Sequence, residues 1–280
     1  MSRQFQLVDV FGKDDFSGNP VAVVFAADDL DTETMQRITR WLNLSETTFL
    51  VPATESEADY HVRIFTLQRE LPFAGHPTLG TCHAWLEAGG RPKRDDVILQ
   101  QCGVGLVPIQ RGGERLAFAA PPLVRSGPVD QADLDEALEV LGLAPGDIVE
   151  ARWVDNGPGW LGIMLDSAER VLALEPKRHH KGRVDLGVVG PHPAGGEVDF
   201  ELRAIFSDPH GALLEDPVTG SLNASVAQWL FGSGRARGRY VAAQGTAIGR
   251  TGRIHVEQAD DSTIWIGGNT RTFFQGSSTF

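Results

Sequence analysis

The stretch ELPFAGHPTLGTCHAWLEAGG, residues 70–90, sets a Gly-His pair, Gly75 and His76, directly in front of a helical pattern. A second stretch, GSLNASVAQWLFGSG at 220–234, has the same plan. Gly220 is followed by a small polar residue, Ser221, then by a helix carrying a tryptophan, then by a glycine stop. Upstream, DYHVRIFT from Asp59 and DFELRAIFS from Asp199 both read Asp, aromatic, any residue, aliphatic, Arg. They end on Phe-Thr and Phe-Ser, the second after one inserted residue. The spacing between copies drifts from 140 to 145 residues, too long for a solenoid. The chain therefore reads as two similar halves facing each other, with the glycine-led helix mouths at their junction.

Working outward, FQLVDVF and NPVAVVF read as strands around the turn GKDDFSG. LDTETMQRITRWLNL opens with Asp31 or Thr32 as N-cap and places Met35, Ile38, Trp41 and Leu42 at helical spacing. TTFLVPA is a further strand. The three prolines of AAPPLVRSGP mark a linker near 119–128. Beyond it, DQADLDEALEVLGL is a helix with Leu134, Leu138 and Leu141 on one face, and ARWVDNGPGWLGIML is a hairpin.

At 280 residues and 41% hydrophobic, the chain can bury one large core or two ordinary ones. The formal net charge of −12 disfavours nucleic acid and anionic membranes as partners, since either wants a basic stripe. No run approaches a membrane span, and the N-terminus reads as mature protein, which makes cytoplasm the expected location. Cys82 and Cys102 form no Cys-x-x-Cys pair and read as small buried hydrophobes rather than a zinc or disulfide site.

A helix N-terminus leaves backbone N–H groups unpaired and carries the positive end of the dipole, so it accepts anions. Glycine there lets a ligand approach closely. Gly75-His76 and Gly220-Ser221 thus suit carboxylates or an enolate-like oxygen. Glu46 in NLSETTF lies where a helix pattern gives way to a strand, flanked by Leu44 and Phe49. A half-apolar pocket raises a carboxyl pKa towards neutrality, as a proton shuttle requires. The same spacing fits a capping or solvated glutamate. Asp216 in LLEDPVTGS also fits ordinary Asp-Pro turn chemistry.

Together, VDVFGKDDFSGNPVAVV, LNLSETTF, VRIFTLQRELPFAGHPTLGT and EDPVTGSLNAS resemble the PhzF family, the phenazine-biosynthesis isomerase-like proteins. AAQGTAIGRTGRIHV and IGGNTRTFFQG resemble its C-terminal pieces. The resemblance implies an α+β, diaminopimelate epimerase-like fold. Two similar domains each wrap a mixed β-sheet around a central helix, with the active site in the interdomain cleft. It places the first domain at 1–120, completed by a C-terminal strand at 266–280, and the second at 127–265. A homodimer and a small-molecule carboxylate partner are expected, with no metal and no organic cofactor.

Residue by residue, the resemblance puts the acid/base glutamate on Glu46, with His76 and Asp216 as further catalytic groups. Ser45, Gly75, Gly220 and Ser221 become substrate-binding residues. The implied reaction is a proton shift on a trans-2,3-dihydro-3-hydroxyanthranilate-like ring. A non-catalytic carboxylate-binding relative, or an epimerase, hydrolase or lyase on the same scaffold, are the alternatives. Racemases of this fold use a cysteine at each helix mouth; here those positions hold His76 and Ser221, and Cys82 lies nearly two turns into its helix.

Other patterns carry less. GPGWLG at 157–162 matches Gly-x-Gly-x-x-Gly, but a strand follows where a nucleotide site needs a helix, so it reads as a hairpin turn. Ser45, His76 and Asp216 lack the Gly-x-Ser-x-Gly elbow of a hydrolytic triad. His76 and His83 share a helix face but have no third ligand for a metal. PKRHHK at 176–181 reads as a solvated basic loop, and the tryptophans as core or cleft wall.

Overall fold

A computed structural model describes residues 2–112 and 115–279. It divides into two units, one of residues 1–119 and 267–280, the other of residues 120–266. The first unit begins β1 (Arg3–Val10), β2 (Asn19–Val24), α1 (Thr32–Leu42), β3 (Glu46–Val51), β4 (Tyr60–Thr66), β5 (Glu70–Leu71), α2 (Gly75–Glu87), β6 (Val97–Cys102), β7 (Gly105–Gly112) and β8 (Arg115–Ala119). The second holds β9 (Arg125–Pro128), α3 (Gln131–Leu141), β10 (Glu150–Asp155), β11 (Leu161–Met164), α4 (Ala168–Leu172), β12 (Asp185–Pro191), β13 (Phe200–Ser207), β14 (Leu213–Asp216), α5 (Gly220–Gly232), β15 (Arg239–Gln244) and β16 (Gly252–Gln258), and ends within β17 (Ile264–Gly268). The last strand, β18 (Thr270–Ser278), belongs to the first unit and runs antiparallel to β1.

The strand order repeats. In the first unit β1–β2, β3–β4, β4–β5 and β6–β7 are antiparallel. The pairs β2–β3 and β4–β6 are parallel, with α1 and α2 as their crossovers. In the second unit β10–β11, β12–β13, β13–β14 and β15–β16 are antiparallel. There β11–β12 and β13–β15 are parallel, crossed by α4 and α5. Parallel neighbours need such a crossover, so the helices sit where the sheet demands them.

The aspartates that open the repeated motif act identically. Asp59 accepts from Leu99 N at 2.7 Å and its own N–H donates to Leu99 O. Asp199 accepts from Val241 N at 2.8 Å and its N–H donates to Val241 O. Each starts a strand by tying it to its parallel neighbour. The arginines match as well. Arg63 grips both oxygens of Glu70 (2.8 and 2.6 Å), and Arg203 grips Glu215 (Nη2–Oε2 2.7 Å).

Phe65 pairs with Glu70 and Ile205 with Glu215, so Phe65 is equivalent to Ile205 rather than to Phe206. The strands therefore align without the inserted residue read from sequence, and the extra length of the second copy lies in the longer β13–β14 turn.

Both central helices are buried on most sides, and the polar residues they carry inward are hydrogen-bonded to the sheet or to their own helix. Residues from Gly75 to Cys82 are buried in α2, and those from Leu222 to Ala227 in α5. Thr81 Oγ1 donates to Thr48 Oγ1 at 2.8 Å, and Gln100 Nε2 donates to Thr78 Oγ1 at 2.9 Å, fastening α2 to β3 and β6.

α1 differs from the sequence expectation. Asp31 caps it through Thr34 N (2.8 Å) and Met35 is buried, but Ile38 is only half-buried and Trp41 is 84% exposed. These two and Leu42 line a cavity of about 800 Å³ beside Phe5 and Val24, which holds none of the candidate site residues. The linker also departs in part, since residues 125–128 form β9 against β10. Cys82 and Cys102 are buried free thiols, as read from sequence.

Candidate active site

In the first unit, Glu46 is the first residue of β3 and His76 the second of α2. Their side chains meet, with His76 Nε2 at 3.3 Å from Glu46 Oε2; the side chains are 5% and 15% exposed. Burial holds the His76 pKa down at about 3, so the ring is neutral at ordinary pH. Its tautomer follows from the other nitrogen. Asn19 Nδ2 lies 3.4 Å from His76 Nδ1, and an amide NH₂ can only donate, so Nδ1 is the acceptor and Nε2 carries the proton.

Ser45 Oγ donates to Asn19 Oδ1 (3.4 Å), which orients the amide. The result is a relay of polar contacts from Ser45 through Asn19 to His76, whose Nε2 lies against the Glu46 carboxylate. His76 Nε2 makes no well-aligned hydrogen bond, so its N–H faces the carboxylate without being consumed by it.

Local sequence explains the placement. The β2–β3 register puts Glu46 beside Val21, two residues from Asn19. Pro77 costs no helical bond in the first turn, and Ala74 at the N-cap supplies no side-chain acceptor. Gly18, just before Asn19, closes the β1–β2 turn; a Cβ there would fall 2.1 Å from Val10 O. Gly18 N also donates to both oxygens of Asp9.

In the second unit, Asp216 ends β14, and Gly220 and Ser221 open α5. Gln244 Nε2 donates to Thr219 Oγ1 at 2.9 Å, and Thr219 Oγ1 donates to Asp216 Oδ2 at 2.6 Å. The N-cap hydroxyl is thus drawn to Asp216 and makes no capping bond to the helix. Gln244 is fully buried and also accepts from Thr219 N and Asn223 Nδ2. Ser221 Oγ accepts from Trp160 Nε1 at 3.0 Å, while Ser221 O accepts from Asn156 Nδ2 at 2.9 Å.

The structure therefore brings Glu46, His76, Ser45 and Gly75 together in one unit and Asp216, Gly220 and Ser221 in the other. Sequence reading missed Asn19, Trp160, Thr219 and Gln244. Asn19 and Gln244 lie inside the stretches that carry the family resemblance, but Asn-Pro looks like turn chemistry and Gln244 like one polar residue of a strand. Among the described residues no group of three His, Cys, Asp or Glu could hold a metal, and no helix is long and apolar enough to cross a membrane.

The family described as phenazine biosynthesis-like protein matches this chain over residues 8–276. Antisense-enhancing sequence 1 of Schizosaccharomyces pombe is 34% identical, over 99% of this chain and 98% of its own. Trans-2,3-dihydro-3-hydroxyanthranilate isomerase of Pseudomonas aeruginosa is 32% identical, over 98% of each. The crystal structure of a PhzF-family protein from Enterococcus faecalis superposes with a TM-score of 0.79 at 26% identity, covering both chains completely. The repeated α+β units are the diaminopimelate epimerase-like fold. With motifs, fold and relatives in agreement along nearly its whole length, the chain belongs to the PhzF family and is an isomerase.

Proposed function

We propose that the reaction is a cofactor-independent proton shift on a small unsaturated carboxylate of the trans-2,3-dihydro-3-hydroxyanthranilate type, with Glu46 as the shuttle. The observation that carries this reading is the Glu46 carboxylate 3.3 Å from a neutral, tautomer-fixed His76. A carboxylate takes a proton from carbon only if a nearby donor steadies the charge that develops on the substrate. In this reading Glu46 removes a proton beside the unsaturated system and returns it to another carbon on the same face. His76 Nε2–H and Asp216 hydrogen-bond the hydroxyl, amine or developing charge. The N–H groups of Gly75, Gly220 and Ser221, with the Ser221 hydroxyl, hold the carboxylate.

The experiment is turnover in deuterated water on a panel of cyclic and acyclic unsaturated amino and hydroxy acids that includes the dihydro-hydroxyanthranilate, followed by mass and NMR. A product of unchanged skeleton is expected from the wild type. Glu46→Gln should be slower by roughly 10²- to 10⁴-fold, the usual weight of a general acid/base. Intact turnover in Glu46→Gln would remove Glu46 from the chemistry. Tight binding with no rearrangement of any panel member would favour a non-catalytic carboxylate binder.

A further inference from the structure

We propose that Trp160 is a positioning residue that fixes Ser221 as a hydrogen donor. The Ser221 hydroxyl proton is then kept for the ligand, which favours a carboxylate over a carboxamide at the mouth of α5. The inference rests on the carboxylate-holding role given to that mouth above.

The polarity of the Trp160–Ser221 contact is not open to choice. An indole N–H donates and cannot accept, so at 3.0 Å the Ser221 oxygen is the acceptor. A hydroxyl has one proton, and among the described residues Ser221 Oγ donates it to nothing. The carbonyl of Ser221 is also engaged, by Asn156 Nδ2 at 2.9 Å and Ser225 Oγ at 3.0 Å. What Ser221 retains is one outward O–H beside the N–H groups of the first turn. A carboxylate offers an accepting oxygen on either side, whereas a carboxamide offers one oxygen and an NH₂ that meets these donors hydrogen to hydrogen.

Trp160 is held for this purpose. It is 4% exposed, and the hairpin before it is pinned by Asp155 Oδ1, which accepts from Gly157 N and Gly159 N at 2.7 Å each. Gly159 has φ +111, a conformation other residues rarely adopt. Arg183 Nη2 donates to Pro158 O at 2.6 Å and closes the loop.

The other half of the repeat uses the same device. Asn19, the first residue of β2, loads Nδ1 of His76, the second residue of α2, and so turns the remaining ring proton outward. Trp160, immediately before the equivalent strand β11, loads Oγ of Ser221, the second residue of α5. The loaded residues His76 and Ser221 are matched in the repeat, but their donors are not: the parallel registers match Trp160 with Val21 rather than with Asn19.

The test is calorimetric binding of 2-amino-3-hydroxybenzoate and of its carboxamide to wild type, Trp160→Phe, Ser221→Ala and the double variant. Benzothienylalanine placed at 160 keeps the ring shape without the N–H, which guards against a folding defect in the Phe variant. Loss of the N–H should weaken the benzoate about 5-fold, the size of one neutral hydrogen bond, and leave the carboxamide nearly unchanged. Trp160→Phe should add little further loss to Ser221→Ala, because both remove one coupled interaction. Equal losses for both probes, additive losses, or no loss in either Trp160 variant would overturn the inference. So would a wild type that binds no benzoate. Deuterium exchange in Glu46→Gln judges the isomerase reading separately, so either can fail alone.

Discussion

Replacing Asn19 by Asp tests the relay at its most sensitive point. The two side chains have the same shape, and Asn19 is fully buried, so packing is conserved. The hydrogen-bond polarity is not. An aspartate accepts at His76 Nδ1, which draws the ring proton to that nitrogen and leaves Nε2 as a lone pair facing Glu46 at 3.3 Å. The donor available to the developing charge is lost. A hydrogen bond involving a charged group contributes about 1.5–3 kcal/mol, so turnover should fall roughly 10- to 150-fold.

The pH dependence gives a second readout. In the wild type His76 titrates at about 3 because it is buried, so its charge does not change between pH 5 and 9. In Asn19→Asp the new carboxylate favours the imidazolium and raises the histidine pKa. Protonation then restores an N–H on Nε2. The deficit relative to wild type should therefore be largest at high pH and shrink as pH falls. Rates measured from pH 6 to 9, with ¹⁵N shifts of the His76 ring, decide the matter. A wild-type ring protonated at Nδ1, or a deficit independent of pH, would refute the relay.

The matched arginines give a stability comparison. The Arg203–Glu215 pair is buried (7% and 8% exposed), and Arg203 also donates to Val171 O and Leu174 O, so Arg203→Ala should cost about 3–5 kcal/mol in urea unfolding. The equivalent Arg63–Glu70 pair is 23% and 38% exposed, so Arg63→Ala should cost about 1 kcal/mol or less; equal costs would contradict this. Burial pushes the Cys82 thiol up to about 12 and also raises Cys102, so a thiol reagent should label neither rapidly in the native protein at pH 8 and both after denaturation. Rapid native labelling would contradict the burial.

The repeat was legible because its residues act through the backbone. Asp59 and Asp199 each tie a strand start to its neighbour, and such residues recur wherever the geometry recurs. The helix mouths were legible for the same reason, through Gly75 and Gly220. The relay was not legible. Asn19 reaches His76 across 57 positions, and Gln244 reaches Thr219 across 25. Nothing local distinguishes either from any turn or strand residue. Trp41 misled because helical spacing marks an apolar face without saying that the chain covers it.

The repeat also bears on how many bases the reaction uses. Glu46 opens β3 opposite Thr66, and Asp185 opens β12 opposite Phe206. Since Tyr60 and Phe200 follow the matched aspartates, Thr66 and Phe206 are equivalent, and so are Glu46 and Asp185. The two carboxylates have different neighbours. Glu46 faces a neutral histidine at 3.3 Å. Asp185 Oδ2 accepts from Arg183 Nε at 2.9 Å. A racemase needs two bases of matched strength, one for each face of the carbon. The proposed one-base shuttle by Glu46 fits this difference, since the equivalent carboxylate, Asp185, is already paired with Arg183.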